Sequence, residues 1–238
     1  MKKLFYISIM ILLSSCVQEK LFEFNETAIE KDDPVSIQVI YSKINDNSDV
    51  STKINNSIES TLAQQIAFFE EDIDDLTLED AISQFENRFV SFKNDFEANA
   101  APWEVIINSE VVFQSMYVIT ISIDSYTFTG GAHGNSVITL LNFDPETGNL
   151  YTQDDIFVKS DELTSLVENY FKKESASKNN NNENYFFGED FKLPENVGFS
   201  EEGIIFLYNT YEIASYAQGI TEFTIPYAEI YDHLNINY

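Results

Sequence analysis

One stretch limits the possible fold more than any other: Tyr126-Thr-Phe-Thr-Gly-Gly-Ala-His-Gly-Asn-Ser136. The longest strand-like run, Tyr117-Val-Ile-Thr-Ile-Ser-Ile123, lies on its N-terminal side, and a second apolar run, 137–143, follows directly. Three of the chain's eight glycines fall within it, at Gly130, Gly131 and Gly134. Glycine adopts positive φ without steric cost, so this spacing predicts a tight bend. The two flanking strands must then be neighbours in one sheet.

Around this bend the pattern alternates between two periods. Val35, Ile37, Val39 and Tyr41 recur every second residue, which predicts a half-buried strand. Ile54, Ile58, Leu62 and Ile66 recur every fourth, the stripe of an amphipathic helix. After the acidic run 70–75, Thr77 and Asp80 form a near capping box. The helix it opens carries Leu78, Ile82, Phe85, Phe89, Phe92 and Phe96 on one face, best read as a core-packing stripe. Val105-Ile-Ile107 and Val111-Val-Phe113 precede the central run, with Asn108-Ser-Glu110 between them as a hairpin turn.

Asp144-Pro-Glu-Thr-Gly148 is a turn: proline presets φ and glycine takes the left-handed position. It is no calcium loop, since Gly148 and Asn149 stand where an EF-hand requires an oxygen ligand and a glycine. Ser160 caps a third helix, and the run 178–184, asparagine-rich, reads as a loop. Strands at 197–200, 204–208 and 220–225 follow, and Pro226 opens a short C-terminal helix. Strands and helices are partly segregated and hairpins dominate, which predicts an α+β fold, an antiparallel sheet with helices on one face. Two coupled β-α halves are expected, 34–143 and 144–238.

The first residues are excluded from the fold. Lys2 and Lys3 precede a short apolar run, and Leu13-Ser-Ser-Cys16 closes it as a lipobox does. A signal peptide at 1–15 is expected, with lipidation at Cys16, an acidic tether at 16–33 and a bacterial envelope location, periplasmic or surface. Cys16 is the only cysteine, so the folded part has no disulfide. Formal net charge is −27; losing Lys2 and Lys3 gives 11 − 40 = −29. Such a field excludes nucleic acid and anionic lipid faces as partners and favours basic ones.

His133 is the one residue that invites a catalytic reading, as general base or metal ligand. The competing reading is local: the glycines shape the bend and the imidazole bonds nearby backbone. One histidine makes no metal site, and His233 is the only other. No nucleophile elbow, zinc helix or phosphate loop occurs, and no cofactor is expected. Tyr208, Tyr211 and Tyr216 form a second group, suited either to recognition or to sheet packing. With Gly130, Gly131, His133, Gly134 and Asn135 they make the candidate binding set.

Gly130-Gly-Ala-His-Gly134, Asn142-Phe-Asp-Pro-Glu-Thr-Gly148, Phe206-Leu-Tyr-Asn-Thr-Tyr-Glu-Ile-Ala214, Tyr216-Ala-Gln-Gly219 and Ile225-Pro-Tyr227 occur in one characteristic order. Together they resemble domain of unknown function 3298, the extracytoplasmic domain shared by the anti-sigma factor RsiV and many uncharacterised lipoproteins. Residues 35–125 resemble the domain that usually precedes it, found at the N-terminus of the deacetylase PdaC. RsiV recognises lysozyme through this domain. The resemblance therefore implies an envelope-anchored, non-catalytic binding protein whose partner is a basic protein such as lysozyme or a cell-wall glycan; a monomer is expected. Neither RsiV's sigma-binding part and membrane span nor PdaC's metal-binding deacetylase domain is expected here. The alternative is a cell-wall hydrolase with His133 as general base.

Overall fold

A computed structural model describes residues 21–67, 76–96, 101–178 and 185–238. The signal segment with Cys16, the acidic run 70–75, residues 97–100 and the asparagines at 179–184 lie outside the described residues.

The elements in order are β1 (Phe24–Lys31), β2 (Ser36–Ile44), α1 (Asp49–Ile66), α2 (Leu78–Phe96), β3 (Glu104–Gln114), β4 (Ile119–Phe128) and β5 (Asn135–Phe143). Then come α3 (Gln153–Ile156), α4 (Asp161–Lys178), β6 (Asn196–Phe199), β7 (Gly203–Tyr208), β8 (Thr221–Pro226) and α5 (Tyr227–Ile230). This is the expected α+β architecture, mainly antiparallel. One sheet runs β1-β2-β3-β4-β5 and a second runs β6-β7-β8. Only β2 and β3 pair in parallel, because the α1–α2 crossover joins them.

Two sequence expectations change. Phe24–Lys31, inside the stretch read as a tether, is a strand registered against β2 from Phe24↔Ile44 to Lys31↔Ile37. Asn108-Ser-Glu110 is not a turn. It continues β3, opposite Asp124, Ile123 and Ser122 of β4. The reason is that one face of this sheet carries no helix. Polar residues can stand outward on it in mid-strand, and they mimic a turn signal. The hairpin lies further on, where the Ser115 N–H donates to the Val118 carbonyl at 2.9 Å.

On the covered face, α1 and α2 bury the predicted stripes. Ile54, Ile58 and Leu62 are fully buried against Val39, Ile107 and Ile121. The Ser48 hydroxyl caps α1 by accepting from the Ser51 N–H, and that of Thr77 caps α2 by accepting from the Asp80 N–H. Phe85, Phe89 and Phe92 surround the Trp103 indole with centroids 5.4, 5.8 and 5.6 Å away, whereas Phe96 stays exposed. A second core forms where α4 crosses the three-stranded sheet, with Leu163, Val167 and Phe171 set against Phe206, Phe223 and Ile225. Ser160 caps α4 through the Leu163 N–H. Two apolar clusters result, and the second also takes in Val118 from the hairpin between β3 and β4.

Asparagine side chains join the halves. β5 is an edge strand, and its outward backbone groups need partners. The Ile138 N–H donates to Asn209 Oδ1 at 2.8 Å, and Asn209 Nδ2 donates back to the Ile138 carbonyl at 2.9 Å. Asn196 Nδ2 also donates to that carbonyl, and Asn196 Oδ1 accepts from the Leu140 N–H. Two amides therefore stand where a further strand would have paired.

Candidate functional site

The bend at 129–134 does connect neighbouring strands: β4 and β5 pair from Ile119↔Phe143 to Thr127↔Asn135. Its glycines differ in purpose. Gly130 alone has positive φ, +82°, beside the Trp103 indole. Gly134 has ordinary φ, but a Cβ there would lie 2.2 Å from the Tyr126 ring, so close approach is what calls for glycine. At Gly131 a Cβ would meet only the His133 carbonyl at 3.8 Å, so neither space nor φ requires glycine. The expectation that all three serve positive φ holds for one.

His133 is exposed, and its Nδ1 lies 2.8 Å from the Gly134 carbonyl. A carbonyl only accepts, so Nδ1 carries the hydrogen in this bond. The ring face lies on Tyr216, with centroids 3.9 Å apart and planes 18° from parallel. The Tyr216 hydroxyl donates to the same Gly134 carbonyl at 3.1 Å. Among the described residues no carboxylate is hydrogen-bonded to the imidazole, and no group of three or more His, Cys, Asp or Glu could hold a metal.

Tyr216 arrives from the loop that follows β7. The loop is anchored by Asn209 on β5 and by Thr210, whose hydroxyl lies 3.3 Å from the Ser136 carbonyl and 3.4 Å from Asn135 Oδ1. Tyr211 takes φ +68° there and is 55% exposed, its ring 5.6 Å from that of Tyr216. A left-handed tyrosine is costly backbone, and the Asn209 and Thr210 contacts with β5 fasten the loop that carries it. His133, Asn135, Tyr211 and Tyr216 thus come together in one patch contributed by both halves.

Tyr208 does not join them. It is 1% exposed, and its hydroxyl donates to the Lys192 carbonyl at 2.6 Å. Burial, with a smaller contribution from Glu212, pushes its ionisation far above the usual tyrosine range. Position explains the difference: Tyr208 ends β7, in which every residue but Ile205 is buried, whereas Tyr211 and Tyr216 lie in the loop after it. The bridging residues Asn196 and Asn209 gave no signal in the sequence, since isolated asparagines read as loop.

The acidic residues after β5 serve local geometry. Asp144 accepts from the Glu146 N–H at 2.8 Å and the Thr147 hydroxyl at 2.7 Å, and Gly148 has φ +73°. Asp155 completes a capping box with Thr152, whose hydrogen bonds hold its carboxyl below the usual range.

Residues 29–136 match the family model described as Deacetylase PdaC, and residues 154–228 match that of a protein of unknown function, DUF3298. The glycine bend lies at the end of the first match. A DUF3298 family protein from Pseudomonas aeruginosa shares this fold with TM-score 0.66 at 18% identity, over 90% of this chain and 94% of that one. A member of the same family from Bacteroides fragilis gives TM-score 0.61 at 23% identity, over 90% and 93%. No curated protein matches the chain.

Proposed function

A segment that matches the PdaC model is followed in this chain by one that matches the DUF3298 model, and on that premise we propose a non-catalytic binding protein of the bacterial envelope. It is lipid-anchored through Cys16, monomeric, and recognises a protein or glycan through the patch of His133, Asn135, Tyr211 and Tyr216. The observation that carries this reading is the left-handed, exposed Tyr211 held beside the His133–Tyr216 stack. Aromatic rings fixed in advance offer contact area at little entropic cost, as recognition surfaces require.

The net charge of −27 favours a basic protein, lysozyme among them, over nucleic acid. A cell-wall glycan is the second ligand class, because sugar faces stack on tyrosine. The hydrolase alternative gains no support from His133. Its Nδ1 is engaged by a backbone carbonyl, its face by Tyr216, and no described carboxylate bonds the ring.

Calorimetric titration of the full chain with lysozyme and with soluble peptidoglycan fragments tests the reading. Binding to either, weakened about tenfold or more by Tyr211→Ala, supports it. Binding to neither, or release of hydrolysis products, contradicts it.

A further inference from the structure

The face of the five-stranded sheet that carries no helix is only partly covered. β6 crosses one end of it, where Gly198 sits against Thr120 and Leu140 and the Phe199 N–H donates to the Thr120 hydroxyl at 3.1 Å. Residues of both sheets line a groove of about 620 Å³, within the usual range for ligand sites (~300–1,000 Å³).

Its composition is divided. Ile40, Ile138, Leu140 and Ile205 form a half-buried aliphatic floor contributed by both sheets. Glu26, Glu110, Asp124 and Glu222 stand exposed around it. No lysine or arginine lines the groove, and none of these four carboxylates forms an ion pair with a described residue. An apolar floor inside a ring of unpaired like charges leaves a surface complementary to cations with apolar neighbours.

We propose that this groove docks an extended polypeptide segment in which lysine or arginine alternates with aliphatic residues. The aliphatic side chains would meet the floor, and the long cationic ones would reach the carboxylates at the rim. A second copy of this chain is disfavoured as occupant, because each copy carries net charge −27. The inference rests on the reading of the protein as a binding module, but on a different surface from the aromatic patch.

The test is fluorescence anisotropy of the full chain with a labelled peptide of alternating lysine and valine. Measurable binding that weakens as salt rises is expected. The combined variant Glu26→Gln, Glu110→Gln, Asp124→Asn and Glu222→Gln should lose about tenfold or more in affinity. A control with the same charge change elsewhere, Glu30→Gln, Asp95→Asn, Glu201→Gln and Asp232→Asn, should stay within about twofold. Tyr211→Ala should bind the peptide as the parent does, which separates this site from the patch. Hydrogen exchange should slow at Ile40 and Ile138 when the peptide binds. Equal losses in the two charge variants, loss in Tyr211→Ala, equal binding of a lysine–glycine peptide, or no binding at all would each overturn the proposal.

Discussion

The imidazole of His133 and the phenol of Tyr216 lie face to face, 3.9 Å between centroids, and each donates a hydrogen bond to the carbonyl of Gly134. One residue belongs to the bend between β4 and β5, the other to the loop after β7. Their contact is therefore a tie between the two halves of the chain as well as part of the exposed patch.

Tyr216→Phe removes one hydrogen bond at a half-buried site and should cost about 0.5–1.5 kcal/mol. Tyr216→Ala removes the stack too, a further ~0.5–1.5 kcal/mol beyond the area lost. Urea unfolding of the single and double variants with His133→Ala measures the coupling. Strictly additive losses would show that the stack contributes nothing.

Asn209→Ala should strip Ile138 of the partner for its N–H and one of two partners for its carbonyl. A destabilisation of about 0.5–1.5 kcal/mol is expected, the usual net worth of a hydrogen bond, because Ile138 is only half-buried. Amide exchange at Ile138 should speed up more than exchange at Ile121 in the middle of β4. Unchanged exchange at Ile138 would mean that water replaces the amide freely.

Two glycine substitutions should behave oppositely. At Gly203 a Cβ would lie 2.1 Å from the Ile225 carbonyl oxygen, which is backbone and cannot rotate away. Gly203→Ala should cost about 1–3 kcal/mol or more. Gly131→Ala has room and unremarkable φ, so thermal unfolding should move within about 0.5 kcal/mol. The reverse order would contradict the account of the bend.

Alkaline pH should weaken the fold through its tyrosines. Burial, and then the neighbouring Glu59 that accepts its hydroxyl at 3.0 Å, push Tyr41 up to about 12. Burial likewise raises Tyr208 and Tyr227. In the unfolded chain a tyrosine ionises near ~10, so above that pH the unfolded state holds fewer protons. The Tyr41 contribution is complete below pH ~10 and is lost as pH rises through the window to about 12. Denaturant midpoints measured across this window should fall with pH, and Tyr41→Phe should flatten the slope.

Much of the fold was legible because its cores obey simple periods. The four-residue spacing of Ile54, Ile58, Leu62 and Ile66 and the alternation along Val35–Tyr41 both became buried faces. β1 was not legible: an acidic strand exposed along much of its length lacks the apolar alternation that marks a strand. Asn108-Ser-Glu110 misled for a related reason, since an open sheet face accepts the residues that turns prefer. In the candidate site, the bend was visible as a cluster of glycines, and the two tyrosines as a cluster of aromatics. What sequence could not show was that Tyr216 would lie on His133, because distant loops meet only through the fold. Nor could it show that Tyr208 ends a strand buried on both faces while Tyr211 stands exposed in the loop that follows.

The most direct test of the central claim, recognition without turnover, is a titration of the full chain with lysozyme and peptidoglycan fragments, with the products analysed by mass spectrometry. The account predicts saturable binding to at least one ligand, unaltered ligand mass, and affinity reduced about tenfold or more by Tyr211→Ala. Fragment cleavage that disappears in a folded His133→Ala variant would contradict it.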